Sequence, residues 1–478
     1  VEKVPVSRWR TRASWALWQL SCRKDARQFE AALQDPESAQ VAQLHSILAH
    51  AEGSQWARSH KIDGNTSIEA FRERAPIQER GAFAQWTDRI IRGESNVLTN
   101  GTVDRLVPTS GTTGHSKLIP MNRESRREFS IAVNLWLHEC LRTCPSIRLG
   151  QVYIATSPAL DFETGKSAVP IGFAEDTAYL GRIERRVLNQ LLAVPTKVSR
   201  LRGADWRNTT RDYLTRAKDL RFLSLWHPGY LEALFDADEI RSLQTQWKDL
   251  ALISCWSDGS CAPAANHLME FFPQAKHQAK GLWLTEGAIT VPWKSRCPLA
   301  LSSGFFEFET ESGDIKLAHQ LDSGAVYRPI LTNHAGLYRY RLGDLVRVES
   351  FVDKTPSLRW IGRADQIVDI CGEKLSDAQV AEALKVAGWE GLALLSPVSG
   401  AHPPHYRCHV EQGTDSFPHD AFEAALRRNP HYAWARDMKQ LAAIEVHEIP
   451  TDRLRAISKY GVGHEKGIHL SQELEKDE

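Results

Sequence analysis

Residues 109–117 read Thr-Ser-Gly-Thr-Thr-Gly-His-Ser-Lys, and Pro120 follows shortly after. Hydroxyls and glycines in close succession, closed by a lysine, make a loop whose backbone N–H groups, side-chain hydroxyls and ammonium can cradle an anion, commonly a polyphosphate. It is not the familiar P-loop, whose Gly-Lys-Ser/Thr runs straight into a helix, because Pro120 blocks helical hydrogen bonding there. A second stretch, Trp283-Leu284-Thr285-Glu286-Gly287, sets a hydroxyl and a carboxylate just past a predicted strand, where α/β proteins build their sites. Beside a triphosphate that carboxylate suits Mg²⁺, a hard ion that takes oxygen ligands. Alone, Thr285-Glu286 reads first as an exposed helix cap.

In Ala335-Gly336-Leu337-Tyr338-Arg339-Tyr340-Arg341-Leu342-Gly343-Asp344, an aspartate in a Gly-Asp turn can accept both hydroxyls of a ribose. The two arginines there can meet phosphate through paired contacts. Alone, the segment reads first as a surface strand with paired charges. Gly362-Arg363-Ala364-Asp365-Gln366 is either a hinge or a solvated linker. Arg455-Ala456-Ile457-Ser458-Lys459 offers a lone late lysine, and such lysines are usually just exposed. His402, His405, Cys408 and His409 invite a zinc reading, but Pro403 and Pro404 split them and the alternation beyond predicts a strand.

Several elements must position these residues. Arg105–Val107 and Lys117–Ile119 predict strands on either side of the polar loop, which is then the bend of a hairpin. Asn122 caps a helix in which Phe129, Ala132, Val133, Trp136, Leu137, Cys140 and Leu141 form one apolar stripe. That stripe reads first as core and second as the wall of a substrate pocket. Asp35-Pro36 starts an earlier helix. Later, 250–255 predicts a strand, 264–272 a helix, 281–284 a strand, and Gly304–Glu309 a strand by its alternation. Ser376 with Gln379 forms a capping box for a helix over 378–384. Alternating helices and strands favour an α/β fold with a substantial sheet.

At 478 residues the chain predicts two or three domains. Lys+Arg and Asp+Glu are equal at 59 each, which argues against a nucleic-acid binder. No stretch approaches the roughly 20 apolar residues of a membrane span. Trp15-Ala16-Leu17-Trp18, bracketed by arginines, reads as a core-packing amphipathic helix, with a membrane-surface role for residues 8–24 as the alternative. No small-residue cleavage site follows it, so a signal peptide is not expected. Eight scattered cysteines in apolar contexts predict reduced thiols and a cytoplasmic setting.

Taken together and in order, these clusters resemble the adenylate-forming (acyl-activating) superfamily from about residue 45 to the end. The loop at 109–117 resembles its phosphate loop, LTEG its Thr-Glu motif, YRLGD its ribose motif, and GRADQIVDICGEKL its hinge segment. Residues 67–93, GFFEFE at 304–309 and AGLYRYRLGD at 335–344 are more closely similar to the auxin-responsive acyl acid amido synthetases of plants and their bacterial relatives. The resemblance implies a large N-terminal adenylate-forming domain over 1–364, with mixed β-sheets and surrounding helices. It also implies a small mobile α+β lid over 365–478, hinged at Asp365.

The implied activity is ATP-dependent activation of a carboxylic acid as acyl-AMP, with release of pyrophosphate, then transfer to an amine, an amino acid by preference. The implied cofactors are ATP and Mg²⁺. Thr109, Ser110, Gly111, Thr112, Thr113 and Gly114 would hold the triphosphate, Thr285 and Glu286 the metal and phosphates, and Tyr340 and Asp344 the ribose. Ser257, Asp258, Gly259 and Trp283 fall near the implied adenine pocket. Lys117, Arg363 and Lys459 would offset charge, with Lys466 as the alternative to Lys459. The superfamily's stacking aromatic falls at Leu282; here the aromatic is one residue on, at Trp283, and on a strand would point the other way. Two alternatives remain at this point: a ligase of the phenylacetate type that passes the acyl group to coenzyme A, and a nucleotide-binding protein without catalysis. Partners are small molecules, with no nucleic acid and no membrane span. The oligomeric state is open, a monomer being compatible with the sequence.

Overall fold

The computed structural model describes residues 8–78, 83–108, 118–155, 167–172, 182–258, 261–363, 367–368, 373, 375–399, 404–413, 417–437, 439, 441–458, 469–471 and 475–476. The phosphate loop 109–117, Gly259, Asp365, Lys459 and Lys466 lie outside them. The chain forms two compact units. The first comprises Val1–Trp256, Asn266–Leu342 and Val346–Arg359; the second comprises Ser257–Ala265, Gly343–Leu345 and Trp360–Glu478.

The first unit combines a parallel and an antiparallel sheet. Gln151–Ile154, Leu220–Ser224, Leu252–Cys255 and Lys276–Ala279 pair in that order, all parallel. The two middle strands are almost wholly buried, LISC at every position, as a sheet covered on both faces requires. Phe305–Glu309 pairs antiparallel with Ile315–Leu317 on one side and Val326–Thr332 on the other, and Tyr340–Arg341 adds to the latter. Arg105–Pro108 and Leu118–Met121 form the expected hairpin, with Pro108 opposite Leu118. Behind it Asn122 caps the helix Arg123–Thr143 through a capping box with Ser125. Asp35 caps Pro36–Ala51 as its sequence predicts.

The long first helix, Arg8–Gln34, settles the reading of its tryptophans. Trp15, Trp18 and Cys22 are buried, while Trp9, Leu17 and Leu20 face outward. It packs on Arg123–Thr143, so the aromatic face is core. Among the described residues no helix is long and apolar enough to cross a membrane.

The second unit has its own core, in which Leu375, Val380, Leu395, Tyr406, Cys408 and Phe422 pack together. Its strands run in the order Glu445–Ile449, His405–Glu411, Ala393–Ser399, Glu475–Lys476. The zinc reading of its histidines gives way to packing. Cys408 lies in the core, its thiol pushed up to about 12 by burial, while His405 pairs with Glu445 and the His409 ring lies tilted beside that of His447; His402 lies outside the described residues. The cap predicted at Ser376 is present and starts Asp377–Val386.

The arginines of the 335–344 segment do not present themselves to phosphate. Arg339 is buried; its Nε donates to Glu307 Oε2 at 2.8 Å and its Nη2 to Glu307 Oε1 at 3.1 Å. Arg72 Nε lies 3.0 Å from the same carboxylate, and Arg339 Nη1 also donates to the carbonyls of Arg72 and Ala75 at the end of the helix Ile68–Arg74. Arg341 pairs with Glu309 at 2.6 Å. The alternation of GFFEFE therefore delivers carboxylates that pair with arginines, because a charge removed from water must meet its opposite. Arg339 has a positive φ of 48°, a strained conformation held by Thr332 Oγ1 on its N–H and Gln78 N–H on its carbonyl. Glu307→Ala, which strands the buried Arg339 guanidinium and takes a partner from the partly exposed Arg72, is expected to cost about 3–5 kcal/mol in urea unfolding. Arg341→Ala, at a partly exposed pair, is expected to cost about 1 kcal/mol or less.

Candidate functional site

Thr285 and Glu286 form the two-residue tip of a tight hairpin, because Trp283–Leu284 pairs antiparallel with Gly287–Ala288 and Leu284 sits opposite Gly287. They are thus not a helix cap. A two-residue connection leaves its side chains little freedom of placement. Both residues are half-buried. The backbone of the tip is fastened from outside: Asn333 Nδ2 donates to the Glu286 carbonyl at 2.7 Å. Asn333 is itself fixed, its Oδ1 accepting from the N–H groups of Ala335 and Leu337.

The next residue, His334, anchors this segment to the helices behind it. Its Nδ1 lies 2.7 Å from Glu128 Oε1, its N–H reaches Glu128 Oε2 at 3.4 Å, and Asn122 Nδ2 donates to its carbonyl at 2.6 Å. Gln43 Nε2 donates to Glu128 at 2.9 Å, and Ser46 Oγ meets His334 Nε2 at 3.2 Å. A polar spine thus runs from Gln43 through Glu128 and His334 to Asn333 and the Glu286 hairpin. Burial raises the Glu128 carboxyl above its ordinary range. Burial alone would lower His334, but its hydrogen bond to Glu128 and the charge beside it outweigh that and raise it.

Sequence reasoning missed Gln43, Glu128, Asn333 and His334. Glu128 sits next to the apolar stripe that drew attention, and Asn333-His334 sits just ahead of the 335–344 segment. The available signal was three polar residues, Thr332, Asn333 and His334, between the apolar run Ile330-Leu331 and the Gly336 turn.

Tyr340 is buried edge-on to Phe83, with ring centres 6.0 Å apart, in the strand pair next to the Arg339 triad. Trp283 is buried in an aromatic cluster, its ring centre 5.5 Å from Phe129, 6.4 Å from Trp136 and 6.5 Å from Trp226. Ser257, Asp258, Asp344 and Arg363 belong to the second unit. There Asp344 is buried and opens a strand, and one of its oxygens accepts from Trp360 Nε1 at 2.8 Å. A carboxylate has more acceptor positions than that one bond uses, so it keeps capacity for hydroxyls. The Asp258 carbonyl accepts from the Cys261 N–H at 3.1 Å, which turns the chain into the helix Ala262–Phe271. Arg363 is the last residue of the strand Thr355–Arg363.

Comparison with known proteins gives the following. The GH3 family N-terminal domain matches residues 25–210, and the GH3 family central domain matches residues 297–363. A probable indole-3-acetic acid-amido synthetase of Oryza sativa subsp. japonica is 20% identical, covering 95% of this chain and 90% of its own. A jasmonoyl-L-amino acid synthetase of Nicotiana attenuata is 21% identical, covering 91% and 90%. The solved structure of an acyl acid amido synthetase in complex with 2,4-DB superposes with a TM-score of 0.77 at 17% identity, covering 95% and 94%. A 2-hydroxyisobutyryl-CoA ligase superposes at 0.56 and 12% identity, covering 91% and 89%. These likenesses show the adenylate-forming fold.

The polar spine carries a pH prediction. Glu128 and His334 both hold protons more tightly folded than unfolded, where their ordinary values are 4.5 and 6.5. The stability they supply is therefore present at low pH and is lost as pH rises through their raised folded values. The Tm advantage of the wild type over the double variant Glu128→Gln/His334→Gln is expected to shrink steadily from about pH 5 to about pH 9. An advantage that grows over that range contradicts the assignment.

Proposed function

Because the chain belongs to the GH3 family, we propose that it is an ATP-dependent acyl acid amido synthetase. The observation that carries this reading is the likeness to named amido synthetases across more than nine-tenths of this chain and nine-tenths of theirs. The resemblance to the coenzyme A ligase is one of fold.

In the first half-reaction a carboxylate oxygen of the acid attacks the α-phosphorus of ATP, and the bond from that phosphorus to the bridging oxygen breaks. Acyl-AMP forms and pyrophosphate leaves. In the second, the amino nitrogen of an amino acid attacks the acyl carbon, the bond to AMP breaks, AMP leaves with the electron pair, and the nitrogen loses its proton to solvent. Attack of one anion on another needs negative charge offset as the transition state forms. On this reading Lys117, Lys459 and Arg363 supply that offset, while Ser110, Thr112 and Thr113 grip the triphosphate. Asp344, buried with acceptor capacity left over, takes the ribose hydroxyls.

The Glu286 carboxylate, on a hairpin tip fastened by Asn333, is the kind of hard oxygen donor that Mg²⁺ prefers. When bound, the ion would neutralise phosphate charge. Residues 365–478 act as the lid, hinged at Asp365, that keeps water from the adenylate. We place the reaction in the cytoplasm, a reading that rests on the scattered cysteines.

Incubating the protein with ATP, a panel of carboxylic acids and either amino acids or coenzyme A, with products read by mass spectrometry, tests the reading. Amide with an amino acid is expected; thioester without amide overturns it. Glu286→Gln is expected to lower kcat/KM for pyrophosphate release by about 10²-fold. Asn333→Ala, which frees the hairpin without touching substrate, is expected to cost about 10-fold.

A further inference from the structure

Lys280 is a buried cation that neither the fold nor the proposed chemistry uses. It follows the fourth strand of the parallel sheet, with its N–H donating to the Cys255 carbonyl at 3.0 Å, and only 4% of it is exposed. Its ammonium donates to Ser224 Oγ at 2.7 Å and stands 4.3 Å from the centre of the Trp226 ring and 4.9 Å from that of Trp136. Among the described residues no carboxylate forms an ion pair with it. Burial lowers its pKa to about 7. An ammonium withdrawn from water normally faces a carboxylate, and leaving it without one is a cost to the fold. A leucine or methionine would fill a plain core position without that cost.

Indole rings gather beside the ammonium. Trp283 shares the same two neighbours as the ammonium, Trp136 and Trp226, and Trp256 adds to Trp226 at 5.5 Å. Trp136 is held in place by Ser254 and Gln278, which accept from its Nε1 at 3.2 and 3.1 Å. Among the described residues, the buried Nε1 of Trp283 has no hydrogen-bond partner. Trp226 and Trp256 remain partly exposed, so the cluster is not sealed on their side. It lies at the carboxyl edge of the parallel sheet, where open α/β sheets take their ligands.

We propose that Lys280 is a specificity-determining residue: with Trp136, Trp226 and Trp283 it receives the ring of an aromatic carboxylic acid and donates a hydrogen bond to an acceptor that the ring carries away from its reacting carboxyl. The proposal rests on the amido synthetase reading for the identity of the ligand as the acyl substrate. The indoles contribute ring-on-ring contact. The ammonium contributes selection, because a ring bearing a methyl in place of the acceptor leaves a buried donor without a partner. This assigns Trp283 to the acyl substrate and not to adenine.

The test is binding, which requires no turnover. Calorimetry would compare matched acids, 4-hydroxybenzoate with 4-methylbenzoate and 4-hydroxyphenylacetate with 4-methylphenylacetate, on the wild type, Lys280→Met and Ser224→Ala. The wild type is expected to bind the hydroxyl member of at least one pair about tenfold or more tighter than its methyl partner. Lys280→Met, which replaces the buried charge with an apolar chain, is expected to stay folded by its Tm and to bind both members alike. Ser224→Ala, which spares the lysine, is expected to keep the preference. Equal binding of both members in the wild type, a preference that survives in Lys280→Met, or no binding of any of the four acids overturns the proposal. A protein that shows the preference yet releases no pyrophosphate would instead overturn the amido synthetase reading and leave the acceptor site standing.

Discussion

A charge inside a protein must find its opposite, and that demand fixes the geometry of this molecule more than any single apolar contact does. Glu307 draws in Arg339 and Arg72, which ties the strand Phe305–Glu309 to the segment 335–341 and to the end of the helix Ile68–Arg74. Glu128 draws in His334, which ties the helix Arg123–Thr143 to the turn that fastens the Thr285-Glu286 hairpin. These two pairings hold the ends of one short loop region. Between them the strained backbone of Arg339 and the exact placement of the Glu286 carbonyl become affordable to the fold.

The contrast between the paired and the unpaired cases is what gives the buried charges meaning. Where a charge has a buried partner, as at Arg339, the pair is architecture, and its chemistry is spent inside the protein. Where a buried charge lies against hydroxyl and ring faces, as at Lys280, its remaining donors are available to something that enters. Glu286 stands half-buried at a hairpin tip whose backbone Asn333 fastens.

Local signals were readable from the sequence because they depend on neighbours in the chain. Asn122, Asp35 and Ser376 cap the helices they were expected to cap, since a capping hydroxyl, amide or carboxylate acts over three residues. The hairpin at 105–121 and the strands at 252–255 and 305–309 followed from periodicity. The family followed from ordered motifs. Long-range pairing was not legible. The 335–344 segment read first as a surface strand with paired charges, but nothing local revealed that Arg339 would be buried and claimed by Glu307 and the end of a helix near residue 75. Thr285-Glu286 read as a helix cap because a two-residue hairpin depends on what pairs across it. Lys280 was passed over for a similar reason: its indole neighbours come from positions 136 and 226, far away in the chain.

On the proposed function, the chain joins a carboxylic acid to AMP before any amine is involved. Exchange of radiolabelled pyrophosphate into ATP measures that step alone, since label returns to ATP only through reversal of adenylate formation. Exchange is expected to require a carboxylic acid and Mg²⁺, to proceed with no amine present, and to fall sharply in Glu286→Gln. Exchange that needs no acid, or none with any acid across aromatic and aliphatic classes, would contradict it.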